Sequence, residues 1–479
     1  MITFILNDQP ISTEASPGSV VLDFIRNDAG LKGTKEACRE GDCGACTIMV
    51  GELIDDDTIE YHSVNSCLLP LGQMNGKHVV TIEGINHAEL NPLQQAFVDE
   101  GATQCGFCTP GFIMSLTAYF LSSDSINYND AITAVDGNIC RCTGYASIQR
   151  AIARVCQLLL KDITGDKLNA LISHKIIPTY FKQIPAKLNE LNAHNQTDIQ
   201  PVDISQEIVA GGTDLFVQRP DDLIDKDVRF LSSEPGLTDI WQDDKFCYIG
   251  AGVKIETIRN SDIVRKQIPK IDDYFRLFAS TPIRNQATLG GNLVNASPIG
   301  DTTIFFLALN VRIGIANENE KREFKLKDFY VSYKKLNKKA IDIVEYLKLP
   351  LLSSQHKFNF EKVAKRTYLD IASVNSAVSI RADANIIQEV HLSAGGVSPI
   401  PLYLAESANY LVGREVNPQT VRGVCRVADA EIAPISDVRG SEIYKRLLLR
   451  QLIFAHFINL FPDNVNLESL YRFTENEIH

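Results

Sequence analysis

Eight of the eleven cysteines fall within the first 142 residues, in two sets of four with unlike spacing. The first is Cys38-x4-Cys43-x2-Cys46, completed by Cys67. The second is Cys105-x2-Cys108, completed by Cys140 and Cys142. A fold must bring each set together around one inorganic centre, so these spacings constrain the N-terminal third more than any hydrophobic pattern does. The start, Met1-Ile-Thr-Phe-Ile-Leu-Asn-Asp, has no basic segment and no cleavage site, and reads as a first strand. A chain without an export signal is expected in a reducing cytoplasm, where clustered cysteines mean metal rather than disulfide.

The first spacing is that of a plant-type 2Fe–2S ferredoxin, in which four thiolates hold two irons. Such a cluster is anionic, and backbone N–H groups must point at its sulfurs. Gly41 and Gly44, between the ligating cysteines, allow that close wrapping, and Gly33 is expected to do the same. The competing reading is a tetrahedral zinc site, but zinc usually pairs one C-x2-C with another, and this set does not. In the second set, Cys105-Gly-Phe-Cys108 and Cys140-Arg-Cys142 each precede a helical pattern, where a helix N-terminus favours negative charge.

A chain of 479 residues should divide into three or four domains. Residues 1–85 alternate short β-patterns with glycine turns. Residues 86–160 turn helical, with apolar spacing at Pro92–Phe97, Gly111–Phe120 and Ile148–Val155. Residues 161–205 are polar and asparagine-rich and read as a linker. Residues 206–350 alternate β-like and helical runs, as α/β architecture requires, and 355–479 form a last α+β segment. A net charge of −12 argues against nucleic acid and anionic membrane surfaces. No apolar run approaches the ~20 residues of a membrane span.

The strings Gln104-Cys-Gly-Phe-Cys-Thr-Pro-Gly111 and Cys140-Arg-Cys-Thr-Gly-Tyr145 resemble the iron–sulfur domains of the molybdenum hydroxylases, the xanthine dehydrogenase and aldehyde oxidase group. The resemblance implies a multidomain α+β chain. A β-grasp 2Fe–2S ferredoxin domain is followed by a four-helix 2Fe–2S domain. A vanillyl-alcohol-oxidase-type FAD-binding domain comes next, with a C-terminal subdomain of the CO dehydrogenase flavoprotein type. It also implies that Gln104 and Cys142 lie nearest a molybdopterin. One departure is Ala146-Ser147, where many relatives carry proline.

Two further strings, Val209-Ala-Gly-Gly-Thr-Asp-Leu215 and Arg284-Asn-Gln-Ala-Thr-Leu-Gly-Gly-Asn292, place paired glycines after β-like runs. Read alone they are turns able to donate N–H groups to a pyrophosphate. Gly250-Ala-Gly252 lacks the third glycine of a dinucleotide fingerprint and is rejected as one. The same resemblance implies FAD contacts at Glu207, Ile208, Val209, Ala210, Gly211, Gly212, Thr213, Asp214 and Leu215. It extends them to Phe278, Ala279, Ile283, Ala287, Thr288, Gly291, Asn292, Val294, Asn295 and Asp301. Lys362 resembles a lysine near the flavin edge, its alternative being a solvated lysine. The loop Arg366–Asp370 would approach a nicotinamide, and Ser436–Ser441, with Tyr444 and Arg446, would serve packing. Cys156, Cys247 and Cys425 read as buried small hydrophobes.

The family's molybdopterin domain has no counterpart in this sequence. The resemblance therefore implies an electron-transfer subunit working with a large molybdopterin-binding partner, two small with two large. Electrons from hypoxanthine or xanthine oxidation would pass through two 2Fe–2S clusters to FAD and then NAD+. No side chain here is expected to be catalytic. The alternatives are an aldehyde or N-heterocycle hydroxylase, an oxygen-reducing oxidase, a free-standing NADH-dependent reductase, and a zinc scaffold without activity.

Overall fold

Alternating apolar residues at Ile2, Phe4 and Leu6 put one face of the first strand into a core, and Asn7 turns the chain back with φ of 56°. The computed structural model describes residues 1–159, 166–193 and 206–471. Two units make up the chain: Met1–Leu231 with Ser280–Ala287, and Ser232–Ala279 with Thr288–His479.

In the first unit a five-stranded mixed sheet runs in the order Gln9–Thr13, Ile2–Leu6, His78–Val80, Thr47–Leu53, Ile59–Asn65. Ile2–Leu6 pairs parallel with His78–Val80 and antiparallel with Gln9–Thr13. Phe4, Val21, Ile25, Ile48, Val50 and Val79 fill its core. Four helices follow at Pro92–Asp99, Thr109–Ser122, Tyr128–Ala134 and Ala146–Leu159. The first opens on a capping box, Asn91 Oδ1 accepting from Gln94 N at 2.8 Å and Gln94 Oε1 from Asn91 N at 3.0 Å. Thr109–Ser122 is buried at every position from Gly111 to Phe120, because it lies between the strands Thr47–Leu53 and Ile59–Asn65 and the other helices. Ala146–Leu159 instead buries one stripe, including Ile148, Ala151, Ile152, Val155 and Leu159.

The stretch read as a linker is partly helical. Helices span Lys167–Ser173 and Ile184–Ala193, and Leu171, Ile176, Ile177, Phe181, Ile184 and Leu188 are buried. Ile184, Leu188 and Leu191 do recur at helical spacing, but in a short stretch otherwise dominated by polar residues. The remainder of that stretch lies outside the described residues.

Phe181 and Tyr180 close over His78, which accepts from Tyr61 Oη at Nδ1 (2.8 Å) and donates from Nε2 to Asn7 O (2.7 Å). Burial holds this imidazole far below its ordinary 6.5, at about 3. The unfolded chain therefore binds the proton first. The stabilisation is complete above about pH 6.5 and drains away as pH falls toward about 3. His78→Gln is expected to flatten the fall of unfolding free energy between pH 7 and 4. A slope equal to the parent's would contradict this.

The second unit holds a five-stranded antiparallel sheet, ordered Glu320–Lys325, Arg312–Asn317, Ile343–Pro350, Phe246–Gly250, Ile240–Gln242. It also holds a four-stranded antiparallel sheet of His356–Val363, Val374–Asp383, Ile386–Gly395 and Leu402–Tyr403. The helices Pro418–Glu431 and Glu442–Leu460 pack with this second sheet in one core that includes Val378, Ile380, Leu392, Val424 and Leu452. The alternation that suggested α/β crossovers is resolved as antiparallel strands with helices beside them. The one parallel pair of the flavin segment, Glu207–Val209 with Val228–Phe230, belongs to the first unit. Cys156, Cys247 and Cys425 are buried. Among the described residues no helix is long and apolar enough to cross a membrane.

Candidate iron–sulfur and flavin sites

The loop from Cys38 to Cys46 feeds the strand Thr47–Leu53, and its thiols meet in pairs. Cys38 lies beside Cys43, and Cys46 beside Cys67. Main-chain N–H groups converge on the sulfurs: Glu40 N reaches Cys38 Sγ at 3.4 Å, Asp42 also serves Cys38, Ala45 serves Cys43 and Gly41 serves Cys67. The hydrogen bond from Cys43, with these N–H groups against opposing burial, brings the Cys38 thiol down to about 5. The same contact pushes the Cys43 thiol well above its ordinary value, as Cys46 does to Cys67, so it is the converging N–H groups that suit an anionic cluster.

The wrapping depends on left-handed backbone. Gly41 has φ of +75°, and a Cβ there would lie 2.6 Å from Ile283 Cδ1 and 2.7 Å from Leu68 Cδ1. Gly44 has φ of +65°. Arg39, left-handed at 55° without being glycine, is held by ion pairs to Asp23 and, at 2.6 Å, Glu36. Gly33 serves a different end from the one expected. Its N–H donates to Glu83 Oε1 at 2.7 Å, and a Cβ would meet Ile82 and Glu83 rather than a sulfur.

The second set is also paired, Cys105 with Cys142 (Sγ–Sγ 3.6 Å) and Cys108 with Cys140. Cys108 is the N-cap of Thr109–Ser122. Thr143 Oγ1 lies 3.2 Å from Cys140 Sγ, and Tyr145 Oη accepts from Cys140 N at 3.0 Å. Burial, with the hydrogen bond to Cys140, pushes the Cys108 thiol up to about 12. Cys105, Cys142 and Gln104 are exposed, whereas Cys140 is buried.

Pairing distinguishes one metal from two. A single tetrahedral ion needs all four thiols around one point, whereas a 2Fe–2S cluster takes two thiolates on each of two irons. Both donor sets fit the dinuclear arrangement better than zinc.

The flavin candidates fall in both units. In the first, Gly211 and Gly212 turn the chain from the strand Glu207–Val209 into the short helix Leu215–Gln218. Gly212 has φ of +79°, and a Cβ on Gly211 would lie 2.3 Å from Gln286 O and 3.0 Å from Ala287 Cα. Gln286 Nε2 donates to Gly211 O at 2.9 Å and Leu68 O at 2.5 Å, and Gln73 Nε2 to Ala210 O at 2.6 Å. Val209 and Phe216 share an apolar cluster with Cys46 and Cys67, against which Leu215 and Ile283 pack. The glycine turn thus adjoins the buried side of the first thiol set. The Glu207 carboxylate pairs with Arg219 at 2.8 Å and Lys226 at 3.4 Å.

In the second unit Thr288 caps the helix Leu289–Asn295, its Oγ1 accepting from Gly291 N at 3.2 Å. The second glycine pair is therefore helical rather than a turn after a strand. Gly290 is small because a Cβ would lie 2.7 Å from Ala251 Cβ. Asn292 Oδ1 accepts from Thr303 at 3.3 Å, Asn295 Oδ1 from Lys334 at 2.9 Å, and Val294 is 40% exposed. Phe278 stacks on Phe275 at 4.6 Å in an aromatic core, and Ala279 is left-handed at φ of 47°. Lys362 is not a solvated lysine. Its side chain is 2% exposed, its ammonium 2.7 Å from Asp301 Oδ2 and 2.6 Å from Leu277 O, and Asn375 Nδ2 holds Asp301 Oδ1 at 2.6 Å.

Four family models match in series. They are a 2Fe–2S iron–sulfur cluster binding domain over residues 4–71, a 2Fe–2S binding domain over 81–153, an FAD binding domain in molybdopterin dehydrogenase over 182–352, and a CO dehydrogenase flavoprotein C-terminal domain over 360–460. Xanthine dehydrogenase 1 of Arabidopsis thaliana is 27% identical over 93% of this chain, and the xanthine dehydrogenase of Calliphora vicina 28% over 96%. The chain belongs to the molybdenum hydroxylase family. It corresponds to the iron–sulfur and flavin part, and spans 38–39% of the length of those two relatives. Aldehyde oxidase 1 of Rattus norvegicus, 25% identical over 96% of the chain, shares the same stretch. Among solved structures, a chain of the carbon monoxide dehydrogenase of Hydrogenophaga pseudoflava superposes with a TM-score of 0.51 at 20% identity. The match covers 55% of this chain and 91% of that one, and shares the fold alone.

As a molybdenum hydroxylase chain, it carries residues that the sequence did not single out. Asn138, Gln73 and Gln286 each tie one candidate segment to another across more than ninety positions. Asn138 stands two residues before Cys140, which is the one signal that pointed near it.

Proposed function

We propose that this chain is the electron-transfer subunit of an NAD-dependent xanthine dehydrogenase, working with a large molybdopterin-binding partner that oxidises hypoxanthine and xanthine. Cys38, Cys43, Cys46 and Cys67 would hold one 2Fe–2S cluster, and Cys105, Cys108, Cys140 and Cys142 the other. Gly211 to Asp214, Thr288, Gly291, Asn292, Asp301 and Lys362 are each proposed as FAD contacts. The clusters supply one-electron steps, and the flavin converts pairs of them into a hydride for NAD+. The protein's part is to position these groups.

The observation that carries the reading is the order of the thiols. One pair of the second set is exposed, its other pair adjoins the first set through the main chain, and the first set's buried pair adjoins the Gly211 turn. That order suits entry from a partner at Cys105 and Cys142 and exit at a flavin. We infer a cytoplasmic heterotetramer of two small and two large subunits. The shared stretch in aldehyde oxidase 1 supports a second substrate class, aldehydes or N-heterocycles. The test is the purified native complex given xanthine, hypoxanthine and a panel of aldehydes, with NAD+ or oxygen as acceptor. Purine-dependent NADH formation is expected; aldehyde turnover with no purine turnover would overturn the substrate assignment.

A further inference from the structure

The loops of the two cysteine sets are joined by hydrogen bonds. Ile139 N donates to Cys43 O at 3.0 Å, so a ligand residue of the first set lies one hydrogen bond and one peptide from Cys140 of the second. Beside this contact the Asn138 side chain, in a residue 5% exposed, donates to Gly44 O at 3.0 Å and reaches Thr47 Oγ1 at 3.4 Å. Its oxygen accepts from Ser115 Oγ at 2.7 Å, and Ser115 lies on the buried helix Thr109–Ser122. The approach leaves no slack, since a Cβ on Gly44 would lie 2.4 Å from Gly137 O and one on Gly111 2.2 Å from Gly44 O. A buried amide carries a desolvation cost that an apolar side chain would avoid. What the amide adds is direction: three partners fix both loops at one distance.

We propose that Asn138 is a positioning residue for electron transfer between the two clusters, holding the Cys43–Ile139 hydrogen bond as the contact through which electrons cross. This rests on the reading that both thiol sets hold 2Fe–2S clusters. In each crossing one electron leaves the second cluster and one arrives at the first, with no bond made and no proton transferred. Ser115 orients the amide, so its hydroxyl acts through Asn138.

The test is electron paramagnetic resonance of the full-length protein reduced with dithionite, reading the spin–spin splitting between the two reduced clusters after metal analysis of each sample. Asn138→Ala is expected to keep its iron and sulfide while the splitting shrinks and electron arrival at the first cluster slows. Ser115→Ala is expected to do the same in lesser degree, and Ser115→Thr, which keeps the hydroxyl, to restore the parent splitting. An Asn138→Ala protein with full iron and unchanged splitting overturns the proposal. Should that variant lose iron, the Ser115 pair decides: a smaller splitting in Ser115→Ala than in Ser115→Thr supports it, and equal splittings overturn it. Parent protein carrying zinc in place of iron would sink the cluster reading itself, a failure the metal analysis shows separately.

Discussion

Gly44→Ala is expected to cost the protein both iron–sulfur centres, although the residue is a ligand of neither. Its backbone is left-handed at φ of +65°, which costs a non-glycine residue about 1–2 kcal/mol. The new Cβ would also lie 2.4 Å from Gly137 O and 3.0 Å from Asn138 Cα. Both are main-chain atoms, so the loops themselves must separate, and overpacking of this kind adds about 1–3 kcal/mol. The strain falls on the segment joining Cys43 to Cys46 and on the segment entering Cys140. Iron content and thermal unfolding of the variant check this, with Gly30→Ala as comparison. Gly30 is also left-handed, at +69°, with nothing within 4 Å of its Cβ, so it isolates the backbone cost. Equal losses in the two variants would show that the loop contact contributes nothing.

Lys362→Met should be the most damaging single change in the second unit. The ammonium is buried against Asp301 and Leu277 O, and its removal leaves the Asp301 carboxylate with Asn375 as its one remaining side-chain donor among these contacts. Breaking a buried pair from one side costs about 3–5 kcal/mol, whereas an exposed pair is worth about 0–1 kcal/mol. Urea unfolding of the apoprotein measures the stability term apart from any flavin. Flavin retention in the holoprotein reports the proposed contact. A stability loss below about 1 kcal/mol would place the pair in the exposed class. Unchanged flavin retention would remove Lys362 from the binding set.

The cysteine sets were legible because inorganic chemistry dictates their spacing, whatever surrounds them. The helix Ala146–Leu159 was legible for a different reason, its apolar spacing, and Thr109–Ser122 as an apolar run longer than a strand, buried at every position from Gly111 to Phe120. Where local signals were ambiguous the sequence misled. Gly290 and Gly291 look like a turn, yet they lie in a helix that presses on Ala251. Lys362 looks like any surface lysine until Asp301, sixty-one positions away, is placed beside it. The helix at 167–173 buries only Leu171, so no local period announces it, whereas the one at 184–193 carries Ile184, Leu188 and Leu191 at helical spacing that the polar surroundings masked. Asn138 illustrates the limit best: its partners are Ser115 and Gly44, and nothing in a linear reading links those three.

Both thiol sets are proposed to hold dinuclear iron–sulfur clusters that serve a flavin. Iron, zinc, acid-labile sulfide and flavin content of the gently purified protein tests this most directly. About four irons and about four sulfides for each FAD are expected, with little zinc. About two zinc ions, no sulfide and no flavin would contradict it and leave the family fold without its electron-transfer function.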